Sequence, residues 1–396
     1  MSLPRLVYLD NNATTRVDDR VLDAMLPWLR DGYGNPSSAH SMGQPAAMAI
    51  ARARAQVARL VGAQSPREIV FTSGGTESIN AAIHGALALA GERRRLITSR
   101  VEHSAAFNPI VRLGKRPGWE SVLLDVDGEG RLDRGAALRA IDASTALVSL
   151  IWGNNETGVL IPRETVRALG ERCREMGAIF HLDAVQVAGK VPLNAADLPI
   201  DFLSISAHKF HGPKGVGALY VRAGLELAPH VEGGTQEEGR RGGTLNTPGI
   251  VGLGRASELA AEHAADSRAL AHLAALRDRL EAGILAAVPD ARVHGKGTER
   301  VANTTNIAFP GLRGEALLML LSELGVCVST GSACSTLKRT PSRVLSSMGC
   351  CDDEAGSSLR LSLSRFSEDA DVDLALERIA DAVAQLRQLH PDTSRA

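Results

Sequence analysis

From about residue 68 to residue 222 the chain alternates short apolar runs with stretches of helical period. The runs at 68–72, 95–98, 121–124, 146–152, 178–182, 202–205 and 217–221 are continuously apolar rather than alternating. That is the pattern of strands buried on both faces of a parallel sheet. Between two of them, Pro162 opens and Gly177 closes a segment carrying Val166, Leu169 and Cys173 at helical spacing, so a crossover helix bracketed by a proline start and a glycine stop is predicted. After Pro248 the pattern changes to an Ala/Leu-rich stretch through Ala287, which reads as one or two helices leading out of this unit. The remainder predicts a strand at 305–309, a helix at 314–324, a loop at 329–336, a strand at 358–363 and a final helix after Ser367. The organisation expected is an α/β domain over 16–260 with a mainly parallel sheet, and a smaller α+β domain made of 1–15 and 261–396.

Composition narrows the function. Aromatic residues are only 3% of 396 while 44% are hydrophobic, which suits an aliphatic core and not a stacking surface for bases. Lys plus Arg, 44, nearly balance Asp plus Glu, 45, so no long-range field attracts nucleic acid or an acidic membrane. The opening residues hold no apolar signal core and no later stretch is long enough to span a bilayer, which gives a cytoplasmic expectation. Five cysteines with no CxxC pair exclude a disulfide scaffold and a standard zinc motif.

Several polar residues stand just past strand ends. Gly74-Gly75-Thr76 follows the first run and opens a helix expected at 76–90, where free N–H groups and the helix dipole suit a phosphate; the plainer alternative is a glycine turn capped by Thr76. Asp183 ends an apolar strand, so a cationic partner is expected for it. A protonated pyridine nitrogen is one such partner, and that pairing makes a pyridoxal ring an electron sink. Lys209, after the next strand, is placed for Schiff-base chemistry if its pocket disfavours the ammonium. His103 follows another strand end, where near-neutral titration suits proton shuttling. Cys334 lies in Ser329-Thr330-Gly331-Ser332-Ala333-Cys334-Ser335-Thr336, a run too polar to pack a core, and is a candidate nucleophile. Cys350-Cys351 is a weaker candidate with nothing nearby in sequence to activate it, and Cys173 and Cys327 read as buried small hydrophobes. Arg360 alternates with Leu359, Leu361 and Leu363 along a strand, so it faces away from them, toward either a carboxylate or solvent.

Taken in order, these motifs resemble the cysteine desulfurases, the NifS-like branch of class-V pyridoxal-phosphate enzymes with the fold type I aminotransferase architecture. The likeness runs through Tyr8-Leu9-Asp10-Asn11-Asn12-Ala13-Thr14-Thr15, Asn154-Asn155-Glu156-Thr157-Gly158, His181 to Gln186, Ser206 to Gly215, Arg241 to Asn246 and Gly331 to Ser335. The resemblance implies that Lys209 carries pyridoxal 5'-phosphate covalently, that Asp183 pairs with its ring nitrogen, that Gln186 bonds the ring hydroxyl, and that His103 stacks on the ring. It assigns the phosphate to Gly75, Thr76, Ser206 and His208, joined by Thr244 of a second subunit, and hence implies a homodimer. Asn155 and Arg360 would hold the carboxylate of L-cysteine. Cys334 would take the sulfur as a persulfide, leaving alanine, and pass it to an iron–sulfur scaffold protein. No fixed metal site is implied beyond a transient iron–sulfur ligand at the Cys334 persulfide. The alternatives within this fold are a class-V aminotransferase and a selenocysteine lyase.

The sequence departs from the pattern in places. Leu245 stands where nitrogen-fixation relatives often have Glu, and the run after Cys334 (Thr336-Leu337-Lys338-Arg339) is more basic than usual. The short stretch after the last helix and the Arg240-Arg241-Gly242 approach to Thr244 point to the nitrogen-fixation branch.

Overall fold

The structure is a computed structural model that describes residues 5–331 and 341–389. Cys334 therefore lies outside the described residues.

In chain order the strands are β1 (Val7–Tyr8), β2 (Ile69–Thr72), β3 (Arg95–Ser99), β4 (Glu120–Leu124), β5 (Thr145–Ile151), β6 (Ile179–Asp183), β7 (Phe202–Ser206), β8 (Gly217–Val221), β9 (Arg292–Val293), β10 (Thr304–Ala308), β11 (Val326–Cys327) and β12 (Ser358–Ser362). The helices are α1 (Asp19–Arg30), α2 (Gly43–Val61), α3 (Gly75–Ala88), α4 (Ser104–Leu113), α5 (Arg134–Ala140), α6 (Arg163–Met176), α7 (Thr247–Ala265), α8 (Ser267–Ala287), α9 (Gly314–Glu323), α10 (Arg343–Ser347), α11 (Asp352–Gly356) and α12 (Asp369–Leu389).

Every residue of β2, β5, β7 and β8 is buried, as their unbroken apolar runs predict. They belong to a seven-stranded sheet of order β2-β8-β7-β6-β5-β3-β4. One expectation fails here. β8 runs antiparallel to both of its neighbours, β2 and β7. The segment between Ser206 and Gly217 contains only a one-turn helix, Ala207–Lys209, and is too short for the crossover that a parallel return requires. The other six strands share one direction, so the carboxyl ends of β2, β3, β5, β6 and β7 open on one edge.

One face of the sheet packs on α3 and α4 through Ile79, Ile83 and Ile110. The other packs on α2, α6 and α7 through Ile50, Val166 and Leu253. Burying each large aliphatic side chain in this way stabilises the fold by about 2 kcal/mol. The Ala/Leu-rich stretch is two helices, divided at Asp266, whose carboxylate caps α8 by accepting from Arg268 N and Ala269 N. A second core gathers Leu273, Leu280, Leu317 and Ile379 around the antiparallel sheet β12-β10-β9. The chain start joins this part, because β1 pairs with β11. No helix among the described residues is long and apolar enough to cross a membrane.

Candidate active site

The edge formed by the carboxyl ends of parallel strands is where α/β folds bind ligands, and here it collects most of the residues singled out above. Asp183 closes β6 and is only 2% exposed. Its Oδ1 accepts from Val185 N at 2.9 Å. Burial pushes this carboxyl up to about 6, against the pull of the Val185 amide and the Lys209 charge. Lys209, at the end of the one-turn helix after β7, donates to the carbonyls of Asn12 at 2.6 Å and Ala13 at 2.9 Å.

His103 follows β3 and caps α4, its Nδ1 accepting from Ala105 N at 3.1 Å. Nε2 therefore carries the proton of the neutral ring. Near-neutral titration was expected of this imidazole. Burial first, then the charges of Lys209 and Arg343, push it down to about 4, so it stays neutral across the physiological range. Behind it, Glu102 is fully buried and accepts from Ser99 Oγ at 2.6 Å. Burial pushes Glu102 up to about 8, with Asp183 adding to the rise.

The first turn of α3 forms a cradle. Gly74, at φ 153°, is the cap residue and the helix starts at Gly75, so Thr76 is inside the helix and not its cap. A Cβ on Gly75 would come within 2.9 Å of Val185 Cγ2 and 3.4 Å of Ser206 Cβ, which explains the glycine. The first N–H groups of the helix lack intrahelical acceptors. Beside them Ser206 Oγ is buried with no partner among the described residues. An orphaned hydroxyl beside a helix N-terminus fits a phosphate. His208 holds Thr14 Oγ1 at 3.2 Å through Nδ1 and is pushed down to about 4 by burial, Lys209 and Lys214.

The segment 10–15 lies across this edge, and Asn12 is its hub. Its carbonyl accepts from Lys209 Nζ and from Gln186 Nε2 at 2.9 Å. Its side-chain Nδ2 donates to Asn155 O at 3.1 Å and Thr304 Oγ1 at 2.9 Å. The half-buried Lys190 bonds Gln186 Oε1 at 3.1 Å and Asn12 Oδ1 at 3.3 Å, and burial of its amine pushes it down to about 7. Arg360 is 3% exposed, so it is not a solvated edge charge. Its Nη2 pairs with Asp10 Oδ1 at 2.8 Å, its Nη1 donates to Asn155 O at 3.1 Å, and its Nε is buried without a partner among the described residues.

Other expected residues stand apart. Thr244 is exposed on this chain, while Arg241 nearby is fixed to Glu77 of α3 by bonds of 2.9 and 3.1 Å. That pair pins the segment without a Glu at position 245. Cys173 is buried as expected, but Cys327 is only half-buried. Cys350 has a neighbour the sequence did not reveal, His294 Nδ1 at 3.6 Å, yet burial still pushes its thiol up to about 11. Asn12, Lys190, Glu102 and the Glu77–Arg241 pair were not singled out from sequence as single residues. Asn12, Glu77, Glu102 and Arg241 were visible only as parts of motifs.

Residues 7–375 match the family model for class-V aminotransferases. Cysteine desulfurase 2 of Trichormus variabilis is 48% identical over 386 residues, covering 98% of this chain and 95% of that protein. The cysteine desulfurase of Cereibacter sphaeroides is 48% identical over 387 residues, covering 97% of each. Among solved structures, a NifS-like protein superposes with a TM-score of 0.88 at 38% identity, over 96% of this chain and 100% of that one. SspA in complex with cysteine does so with a TM-score of 0.79 at 35% identity, over 91% and 99%.

Proposed function

We propose a division of labour for a chain that belongs to the class-V aminotransferase family and is a pyridoxal-phosphate-dependent cysteine desulfurase. The cofactor, when bound, supplies an electron sink for charge developing at the substrate Cα. Lys209 anchors it and moves the Cα proton on Nζ. Asp183 holds the positive charge at the ring nitrogen, and Gln186 donates to the ring hydroxyl from the side chain that Lys190 and Asn12 keep in place. Gly75, Thr76, Ser206 and His208 hold the phosphate. His103 covers the ring and offers the proton on Nε2. Arg360 and Asn155 orient the carboxylate of L-cysteine. Cys334 receives the sulfur: the substrate carbon–sulfur bond and the enzyme S–H are exchanged for a C–H in alanine and an S–S in the enzyme persulfide, with no external oxidant.

The observation that carries this reading is the meeting of Asp183 and Lys209 at one sheet edge, where the Lys209 charge acts on the buried Asp183 carboxyl. The two curated relatives described above are cysteine desulfurases, which does not favour an aminotransferase or a selenocysteine lyase. We assign the protein to the cytoplasm, to iron–sulfur cluster assembly of the nitrogen-fixation type with a scaffold protein as acceptor, and to a homodimer to which each subunit lends Thr244. Exposed Tyr33 and Met48, at 79% and 74%, support a covered apolar surface in the dimer. The division into 16–260 and 1–15 with 261–396 goes with this reading.

The test is alanine and sulfide release from L-cysteine by the wild type and by Cys334→Ala. The wild type should form stoichiometric alanine with a persulfide trapped on Cys334, and the variant should lose desulfuration. Undiminished desulfuration in the variant sinks the assignment of Cys334.

A further inference from the structure

Away from the sheet edge, the turn joining α10 to α11 meets the rim of the small sheet. Cys350 lies in that turn, Glu354 in α11 and His294 directly after β9. A ring nitrogen of His294, Cys350 Sγ and a Glu354 carboxylate oxygen all lie within 4.8 Å of one another. The Sγ to Nδ1 separation is 3.6 Å. A sulfur and a nitrogen bound to one tetrahedral zinc at roughly 2.3 and 2.05 Å sit about 3.6 Å apart. Two of the three ligands therefore already have the spacing that a metal would impose.

Hydrogen bonding fixes which ring nitrogen faces the thiol. Ser358 Oγ gives its single proton to Glu354 O at 2.7 Å. Its 3.2 Å contact with His294 Nε2 then requires that Nε2 be the donor. Nδ1 is left with a lone pair toward Cys350. A histidine only 7% exposed, anchored through its far nitrogen with the near one unprotonated, has the outer-shell arrangement usual for metal-bound imidazoles. Arg292 Nη1 stands 3.8 Å from Glu354 Oε1, a loose pair that a divalent cation can displace.

We propose that His294, Cys350 and Glu354 bind a thiophilic divalent cation of the zinc class, with water as fourth ligand. Binding exchanges the Cys350 S–H for a metal–sulfur bond and releases one proton to solvent, without redox change. The cation ties β9 to the helix pair whose Arg343 stacks 3.8 Å over the Phe107 ring and donates to the carbonyls of Arg100 and Glu102, next to His103. The site is independent of the pyridoxal chemistry. A thiol–imidazole hydrogen bond alone is the competing explanation of the same geometry.

The experiment titrates chelator-stripped full-length holoenzyme with Zn²⁺ against a chromophoric chelator, comparing wild type, Cys334→Ala, Cys350→Ser and His294→Gln. Cys334→Ala should retain one tight zinc per chain, and the other two variants should weaken it at least tenfold. Zinc-edge X-ray absorption on Cys334→Ala, which leaves the proposed ligands intact, should find a single sulfur at about 2.3 Å. Zinc lost with Cys334 and kept by Cys350→Ser, or an absorption spectrum without sulfur, overturns the proposal and leaves the hydrogen bond.

Discussion

Buried Arg360 and half-buried Asp10 form an ion pair, Nη2 to Oδ1 at 2.8 Å, while Nη1 of the same guanidinium rests on the carbonyl of Asn155. Among the described residues the planar fork is held at two points and its Nε is left over. A lysine at this position is a point charge and cannot hold such a geometry. Arg360→Lys is expected to raise KM for L-cysteine at least tenfold with kcat changed less than threefold, measured by steady-state alanine formation. An unchanged KM would mean that the guanidinium serves Asp10 alone.

Asp183 sets function against stability. Its folded-state value, about 6, lies above the usual aspartate range because burial disfavours the charge. The folded apoprotein thus holds a proton that the unfolded chain has released, and stability is lost as pH rises from about 4 through about 6. Two units correspond to about 3 kcal/mol at neutral pH. Asn at this position can still accept from Val185 N without carrying a charge. Apoprotein Asp183→Asn should melt several degrees above the wild type at pH 7.5, with the gap closing toward pH 4.5, while the reconstituted variant loses at least a hundredfold in kcat. Equal melting temperatures at pH 7.5 would remove the desolvation argument.

The sheet edge was legible because strands buried on both faces are unbroken apolar runs, so a carboxylate or lysine just past one stands out. Asp183 and Lys209 do so, and alternation with Leu359, Leu361 and Leu363 put Arg360 on the opposite strand face without telling whether that face meets a carboxylate or solvent. The direction of β8 left no mark in its residues, since strand composition does not encode polarity, and only the short connection after Ser206 hinted at it. Asn12 acts partly through its backbone carbonyl, a group every residue has. Asp10 and Arg360 are 350 positions apart, and His294 and Cys350 are 56 apart, so no local spacing joins either pair. The depressed titration of His103 depends on what surrounds it in three dimensions, which the turn sequence does not contain.

Ser206 Oγ is buried without a partner among the described residues, an arrangement that disfavours the apoprotein and that a phosphate oxygen would relieve. Ser206→Ala should therefore loosen pyridoxal phosphate about tenfold, near 1.4 kcal/mol, and leave the melting temperature of the apoprotein unchanged or higher. Equilibrium dialysis followed by cofactor absorbance measures the first effect and calorimetry the second. Unaltered retention of the cofactor would detach Ser206 from the phosphate.

His103 gives a pH prediction whose sign follows from its burial. Held down to about 4 by desolvation, Lys209 and Arg343, the ring is neutral above pH 5 with its proton on Nε2. Its charging therefore cannot produce an acidic limb near pH 6.5 in kcat/KM. His103→Gln is expected to lower kcat by about a hundredfold or more, in the range of a lost acid–base or hydrogen-bonding group, without moving the midpoint of that limb. Stability follows the same linkage: the unfolded chain binds the His103 proton first as pH falls below 6.5, so the wild type loses stability toward pH 4 and His103→Gln is spared this loss. pH–rate profiles and melting curves of the two proteins decide the matter. An acidic limb that vanishes with the substitution would mean the imidazole is charged when it acts.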